Sequence, residues 1–217
     1  MKNQGRSPRI EFSLYLITDR RGCAGRDLSS VVEQALQGGV KAVQLREKDL
    51  PGRELYVMAM EMRELTRRYG ATLLINDRID IAMAVEADGV HLGEWSIPTD
   101  AARKIIGGRK LIGVSCHSLQ DAFAARNGGA DFITCGPVFF TPSKAAYGEP
   151  LGLSVLQDVV RQVDIPVLAI GGINRYNARE VVSSGAGGIA LISAILAADD
   201  PREEAGKLLS LLDQAEE

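Results

Sequence analysis

Eight short runs rich in β-branched and apolar residues, each followed by a segment with helical spacing, limit this chain more than any other feature. The runs are Leu14–Thr18, Ala42–Leu45, Thr72–Ile75, Gly89–Leu92, Leu111–Ser115, Phe132–Cys135, Val167–Ile170 and Gly188–Ile192. Most are continuously apolar rather than alternating. That pattern belongs to parallel strands buried on both faces under a cover of helices. The segments between them read as those helices. Pro51 stands near one start, Leu55, Met58, Met62, Leu65 and Tyr69 recur at helical spacing, and Gly70 falls where a left-handed residue ends a helix. The last helix opens on Asp200-Pro201-Arg202-Glu203, an N-cap acid, a proline at the first helical position and a glutamate three residues after the cap. Leu208, Leu209, Leu211 and Leu212 form its apolar face.

A short echo recurs where helices lead into strands. It reads Gly39-Val40-Lys41-Ala42-Val43, Ala87-Asp88-Gly89-Val90, Gly129-Ala130-Asp131-Phe132 and Gly185-Ala186-Gly187-Gly188. Doubly wound sheets use similar turns but rarely eight units in so little sequence. The expected fold is α/β, a single-domain (β/α)8 TIM barrel over residues 1–217, with 1–12 as a loose N-terminal extension. In such barrels the chemistry sits at the C-terminal ends of the strands.

The charge balance excludes several partner classes. There are 25 basic and 28 acidic side chains, a formal −3, with no field of one sign, so no nucleic acid and no membrane surface is expected as a partner. Self-association into a homo-oligomer is left open. Cys23, Cys116 and Cys135 are odd in number and widely spaced, which speaks against a disulfide framework or a zinc site and for small core residues. No apolar run reaches the ~18–20 residues of a membrane span. The start, Met1 to Arg9, is polar and basic without an apolar centre, so a cytoplasmic location is expected.

The strand ends carry the candidate chemistry. In Gln44-Leu45-Arg46-Glu47-Lys48, period two puts Gln44, Arg46 and Lys48 on one side, either as a diphosphate grip or as a solvated charge cluster. Asn76-Asp77 offers oxygen ligands for Mg²⁺, or an Asx cap on the following helix. His91 fits a barrel interior as well as a site, and Trp95, the only tryptophan, either walls a ring-shaped ligand or covers the rim. Ser115 and His117 point to one side, whereas Ser118 reads as a capping box with Asp121. Thr141, Ser143 and Lys144 supply hydroxyl and ammonium donors on a long loop after the sixth strand, placed like a lid. Gly171-Gly172 and Ser193, with a helix starting near Asn174, end strands seven and eight, where such barrels bind phosphate.

Taken in order, these blocks resemble the thiamin phosphate synthase family. The similarity runs from Leu14-Tyr15-Leu16-Ile17-Thr18-Asp19 to Ile189–Ile195. It is carried by Gln44–Lys48, Ile75-Asn76-Asp77, Asp88–Gly93, Gly113–His117, the Gly136–Lys144 run and Ala169–Ile173. The resemblance implies joining of hydroxymethylpyrimidine diphosphate to a thiazole phosphate with release of pyrophosphate. It further implies Mg²⁺ as cofactor, and catalysis by positioning and leaving-group electrostatics without an enzyme nucleophile. Gln44, Arg46, Lys48 and Asn76 would face the pyrimidine diphosphate, and Asp77 would hold Mg²⁺. Ser115 and Lys144 would contact the pyrimidine and its diphosphate, with Arg46, Lys48, Ser115 and Lys144 as the catalytic set. Thr141, Ser143, Gly172, Ile192 and Ser193 would close on the thiazole phosphate.

One block departs from the pattern. The family usually has Gln-x-Asp after the strand-four His-Leu-Gly, the aspartate being a second metal ligand; here the stretch is Glu94-Trp95-Ser96. Ser96 occupies the ligand position, and Glu94 is the candidate replacement. A serine there is more similar to the sister thiazole tautomerases, which share the barrel and phosphate pocket but carry a histidine after the strand-six glycine. This chain has Pro137, which can neither give nor take a proton. The expected function is therefore the synthase, with the tautomerase or a non-catalytic thiamin-phosphate-binding barrel as alternatives.

Overall fold

The computed structural model describes residues 10–141 and 149–213. Its strands are β1 (Leu14–Ile17), β2 (Ala42–Leu45), β3 (Thr72–Asn76), β4 (Gly89–Leu92), β5 (Leu111–Cys116), β6 (Phe132–Cys135), β7 (Val167–Ile170) and β8 (Gly188–Leu191). They close into a parallel barrel in the order β1 to β8, with Leu14 paired to Ile189 across the seam. This is a TIM barrel, as the alternation of runs implied.

The helices are α1 (Leu28–Gln37), α2 (Gly52–Arg68), α3 (Ile79–Ala84), α4 (Thr99–Ile106), α5 (Leu119–Asn127), α6 (Gly152–Gln162), α7 (Ala178–Ser183), α8 (Ser193–Leu196) and α9 (Pro201–Asp213). The expected caps form. Ser118 accepts from Asp121 N at 3.1 Å and Asp200 from Glu203 N at 2.9 Å, satisfying amides that have no partner within their helices.

Each strand is buried on both faces, which is why the runs read as continuously apolar. Inward residues Tyr15, Ile17, Ala42, Leu74, Leu111, Phe132, Leu168 and Ala190 fill the barrel. Outward residues such as Leu16, Val43, Leu73, Ile75, Val90 and Ile133 pack under the helices. Phe12 joins the inner group, edge-on to Phe132 at 5.5 Å. The N-terminal segment expected to be loose over 1–12 therefore already has a buried anchor at Phe12, while residues 1–9 lie outside the described part.

The echo has a physical basis. Gly39, Glu86, Gly129 and Gly185 each adopt positive φ at a helix end, and the next buried small or branched residue (Val40, Ala87, Ala130, Ala186) starts the turn into the strand. Two of these turns carry an aspartate brace. Asp88 accepts from Leu73 N and pairs with Arg63 at 2.6 Å, and Asp131 accepts from Ile112 N and pairs with Arg103 at 2.6 Å. All three cysteines are free and buried, with Cys116 and Cys135 register partners on neighbouring strands. Among the described residues no helix is long and apolar enough to cross a membrane.

Candidate active site at the strand ends

At the C-terminal end of β2 the period-two expectation holds for two residues of three. Gln44 points into the barrel and is buried; Arg46 is half-buried at the mouth; Lys48 is exposed in the turn that follows. The Arg46 guanidinium makes no hydrogen bond or ion pair among the described residues, so its five donors remain available to an anion. Glu47, between them, has a structural job that the sequence did not disclose. Its buried carboxylate accepts from Thr18 Oγ1 at 2.7 Å and from Arg20 N at 3.1 Å, and pairs with Arg20 at 3.0 Å. Thr18 Oγ1 in turn accepts from Arg46 N at 2.9 Å. The backbone that carries Arg46 is thereby tied to the end of β1. Period two alone could have flagged Glu47, since it puts that charge on the side opposite Gln44 and Arg46.

At the end of β3, Asp77 does not cap the next helix. The N-cap of α3 is Arg78, without a side-chain cap bond. Asp77 sits at φ 59°, a left-handed conformation uncommon outside glycine, and its side chain turns to the rim. There it accepts from Asn76 Nδ2 at 2.7 Å and from the Ser96 hydroxyl, and Gly93 N donates to Ser96 Oγ at 2.7 Å. Glu94 is exposed and has no partner among the described residues. Trp95 is 90% exposed.

The next layer down is polar. His91 lies between Tyr15 and Ser115, with its Nδ1 3.3 Å from Tyr15 Oη and its Nε2 3.1 Å from Ser115 Oγ. Burial pushes His91 down to about 3; Asp77 opposes the shift and the nearby Arg46 cation adds to it. The ring is therefore neutral at ordinary pH. Ser115 is half-buried and faces the mouth from β5. His117 is occupied elsewhere, with Nδ1 against the Gly136 carbonyl and its amide donating to Asp121 at 3.0 Å.

The phosphate side differs from expectation in two ways. The helix after β7 begins at Ala178, not near Asn174, and is a short one. Gly171 and Gly172, at φ 99° and 66°, serve first to admit the β6 loop. A Cβ on Gly171 would stand 2.5 Å from Pro137 Cβ, and one on Gly172 2.6 Å from the Phe140 carbonyl. Val138 N donates to Ile170 O at 2.9 Å and Phe139 N to Gly171 O at 3.0 Å, so this loop continues the sheet edge past its last strand residue. Thr141 is engaged at the loop's start, Ile192 is half-buried and Ser193 is exposed at the first turn of α8. Ser143 and Lys144 lie outside the described residues.

Among the described residues no three His, Cys, Asp or Glu side chains cluster as a metal cage. At the end of β3 the rim offers a carboxylate, Asp77, beside a carboxamide and a hydroxyl. All are oxygen donors, a set that suits a hard cation keeping most of its waters.

Comparison with known proteins shows the family of the chain. The chain matches the Thiamine monophosphate synthase family over residues 14–195. A relative from Geobacter sulfurreducens is 59% identical over 204 residues, 94% of this chain and 96% of that protein. The thiamine-phosphate synthase of Clostridium novyi is 49% identical over 191 residues, 88% of this chain and 94% of its own length. The solved structure of the thiamine phosphate pyrophosphorylase from Pyrococcus furiosus superposes with a TM-score of 0.86 at 42% identity, covering 94% of this chain and 96% of that one. With a match that takes in every described strand, the chain belongs to the thiamine monophosphate synthase family.

Proposed function

We propose that the protein is the transferase of thiamine biosynthesis that joins hydroxymethylpyrimidine diphosphate to hydroxyethylthiazole phosphate, forming thiamin phosphate and pyrophosphate. The observation that carries this reading is the Arg46 guanidinium, without a hydrogen bond or ion pair among the described residues, at the same rim as Asp77 and Ser115, in a chain 49% identical to a named synthase. The bond between the pyrimidine methylene carbon and the diphosphate oxygen breaks, and its electron pair leaves with the diphosphate. The thiazole nitrogen lone pair then forms the new carbon–nitrogen bond, leaving a thiazolium cation.

Arg46 holds two diphosphate oxygens at once and Lys48 adds a further positive charge from its turn. Gln44 and Asn76 border the same ligand, and Ser115 hydrogen-bonds the pyrimidine. Lys144 brings a further cation from the loop. Thr141, Ser143, Gly172, Ile192 and Ser193 hold the thiazole phosphate. Asp77 would hold Mg²⁺, which would supply neutralisation of the charge on the departing diphosphate. With no nucleophile to activate, the chain's contribution is alignment of the two reacting atoms and stabilisation of the leaving group.

The test is pyrophosphate release from the two substrates with and without Mg²⁺, with thiamin phosphate measured in parallel. Mg²⁺-dependent release in step with product is expected. Release without thiamin phosphate, or isomerisation of the thiazole phosphate alone, would overturn the reading.

A further inference from the structure

Beneath the rim lies a set of buried polar side chains that the reaction above does not use. Tyr15 on β1, His91 on β4 and Thr134 on β6 are each at most 2% exposed, and none of them is acidic. Tyr15 Oη lies 3.3 Å from His91 Nδ1. Gln44 lies beside the same hydroxyl, but its buried Nε2 makes no well-formed hydrogen bond. On the other side of the imidazole, Nε2 is 3.1 Å from Ser115 Oγ and 3.4 Å from Thr134 Oγ1, and the Thr134 hydroxyl is itself 3.4 Å from Ser115 Oγ.

The direction of these bonds follows from what each group can give. A neutral imidazole has one N–H and one lone pair, on different nitrogens. A phenol is a better donor than acceptor, because the ring withdraws density from its oxygen. Tyr15 therefore donates to Nδ1, which leaves the single N–H on Nε2 to donate to Ser115. Thr134 can donate to the same oxygen. With its lone pairs taken from below, Ser115 has one capacity left, its own hydrogen, directed toward the mouth.

The imidazole is also held in place. Its ring centroid is 5.7 Å from that of Tyr15 and 5.8 Å from that of Phe132. On the adjacent strand Gly113 leaves the space it needs: a Cβ there would stand 2.5 Å from His91 Nδ1 and 2.4 Å from the Phe132 ring. A ring flip that would exchange the two nitrogens is resisted by close packing on these sides.

We infer that Tyr15 and His91 are positioning residues that fix Ser115 as an obligate hydrogen-bond donor, so that the site selects a ligand presenting a neutral acceptor atom there. The identity of that acceptor, a ring nitrogen of the pyrimidine, rests on the proposed reaction; the bond direction does not. A ligand that offers an N–H at this point meets a second donor and is rejected, since an unpaired polar contact in a closed site is unfavourable.

The test reads the tautomer directly. The chain has two histidines, so long-range proton–nitrogen correlation spectra of protein carrying ¹⁵N-histidine contain two ring systems, and His91→Gln identifies which is His91. The expected result at neutral pH is His91 with Nε2 protonated and Nδ1 bare. Tyr15→Phe keeps the ring and removes the donor; it should populate the other tautomer and raise KM for the pyrimidine diphosphate roughly 5–10-fold, the loss of one hydrogen bond, with KM for the thiazole phosphate unchanged. A wild-type His91 protonated at Nδ1, or an unchanged tautomer in Tyr15→Phe, would overturn the inference. Nε2 protonation in a protein that forms no thiamin phosphate would uphold it and count against the proposed reaction instead.

Discussion

Ser96 donates its hydroxyl hydrogen to the Asp77 carboxylate and so links the loop after β4 to the end of β3. A carboxylate can only accept, which fixes the direction of that donation, and the Ser96 oxygen in turn accepts from Gly93 N at 2.7 Å. Ser96 is thus a neutral orienting group for the Asp77 carboxylate, rather than a second charge beside it. The consequence falls on the cation requirement.

Asp77→Asn should raise the Mg²⁺ concentration for half-maximal activity by about 10-fold or more, since it removes the charged oxygen a hard cation prefers. Glu94, exposed and without a partner among the described residues, should matter less, with Glu94→Gln changing that concentration by less than about twofold. Activity titrated against Mg²⁺ in the two variants decides between these ligands. A larger effect from Glu94→Gln would identify it as a second ligand.

Arg46→Ala should lower kcat for pyrophosphate release by about 100-fold, the scale seen when one leaving-group donor is lost from a preorganised site. Arg46→Lys should recover only part of it, because an ammonium cannot grip two oxygens in a plane. Steady-state kinetics with each substrate varied in turn would show the loss on the diphosphate side.

Arg103 spans three backbone carbonyls, those of Gly107, Lys110 and Gly129, as well as Asp131. Asp131 is buried, so removing its charge strands the guanidinium in a half-dry site. Asp131→Ala should destabilise the fold by about 3–5 kcal/mol, read by urea denaturation, with the slope of the transition unchanged.

His91 also sets a pH dependence of stability. Its folded value, about 3, lies below the ordinary 6.5, so the unfolded chain takes up a proton that the native state refuses. Stability from this source is complete above pH 6.5 and is lost as pH falls toward 3, at about 1.4 kcal/mol per pH unit. Denaturation at pH 6.5 and pH 5 should differ by about 1.6 kcal/mol more in the wild type than in His91→Gln. Equal differences in the two proteins would mean that His91 is charged when folded.

The barrel was legible because both faces of each strand are buried, so the strands stood out as apolar runs. The bounds of β2, β4, β6 and β7 agree with the sequence reading, and the others differ by one residue at the C-terminal end. At β8 the difference has a cause: Ile192 leaves the sheet at φ −119°, ψ −87° to become the N-cap of α8. What sequence spacing could not convey was contact between loops. Gly171 and Gly172 looked like room for an anion, and their missing side chains are filled by Pro137, Phe139 and Phe140. Asp77 looked equally like a cap or a ligand, and only its left-handed backbone and the reach of Ser96 separate the two. Tyr15 and Thr134 passed as ordinary strand residues, although a hydroxyl on the inward side of an apolar strand was the available sign of a polar layer.

Burial of every cysteine has a practical side. Cys23, Cys116 and Cys135 all lie out of solvent; burial pushes the Cys116 thiol well up and that of Cys135 up to about 11, far from the thiolate that reacts. The native surface therefore carries no competing thiol, and a disulfide reagent should count close to zero fast-reacting thiols before denaturation and three after it. A single cysteine introduced at Trp95 would be the one place a fluorophore attaches, turning the catalytic rim into an optical reporter without first stripping out the natural thiols.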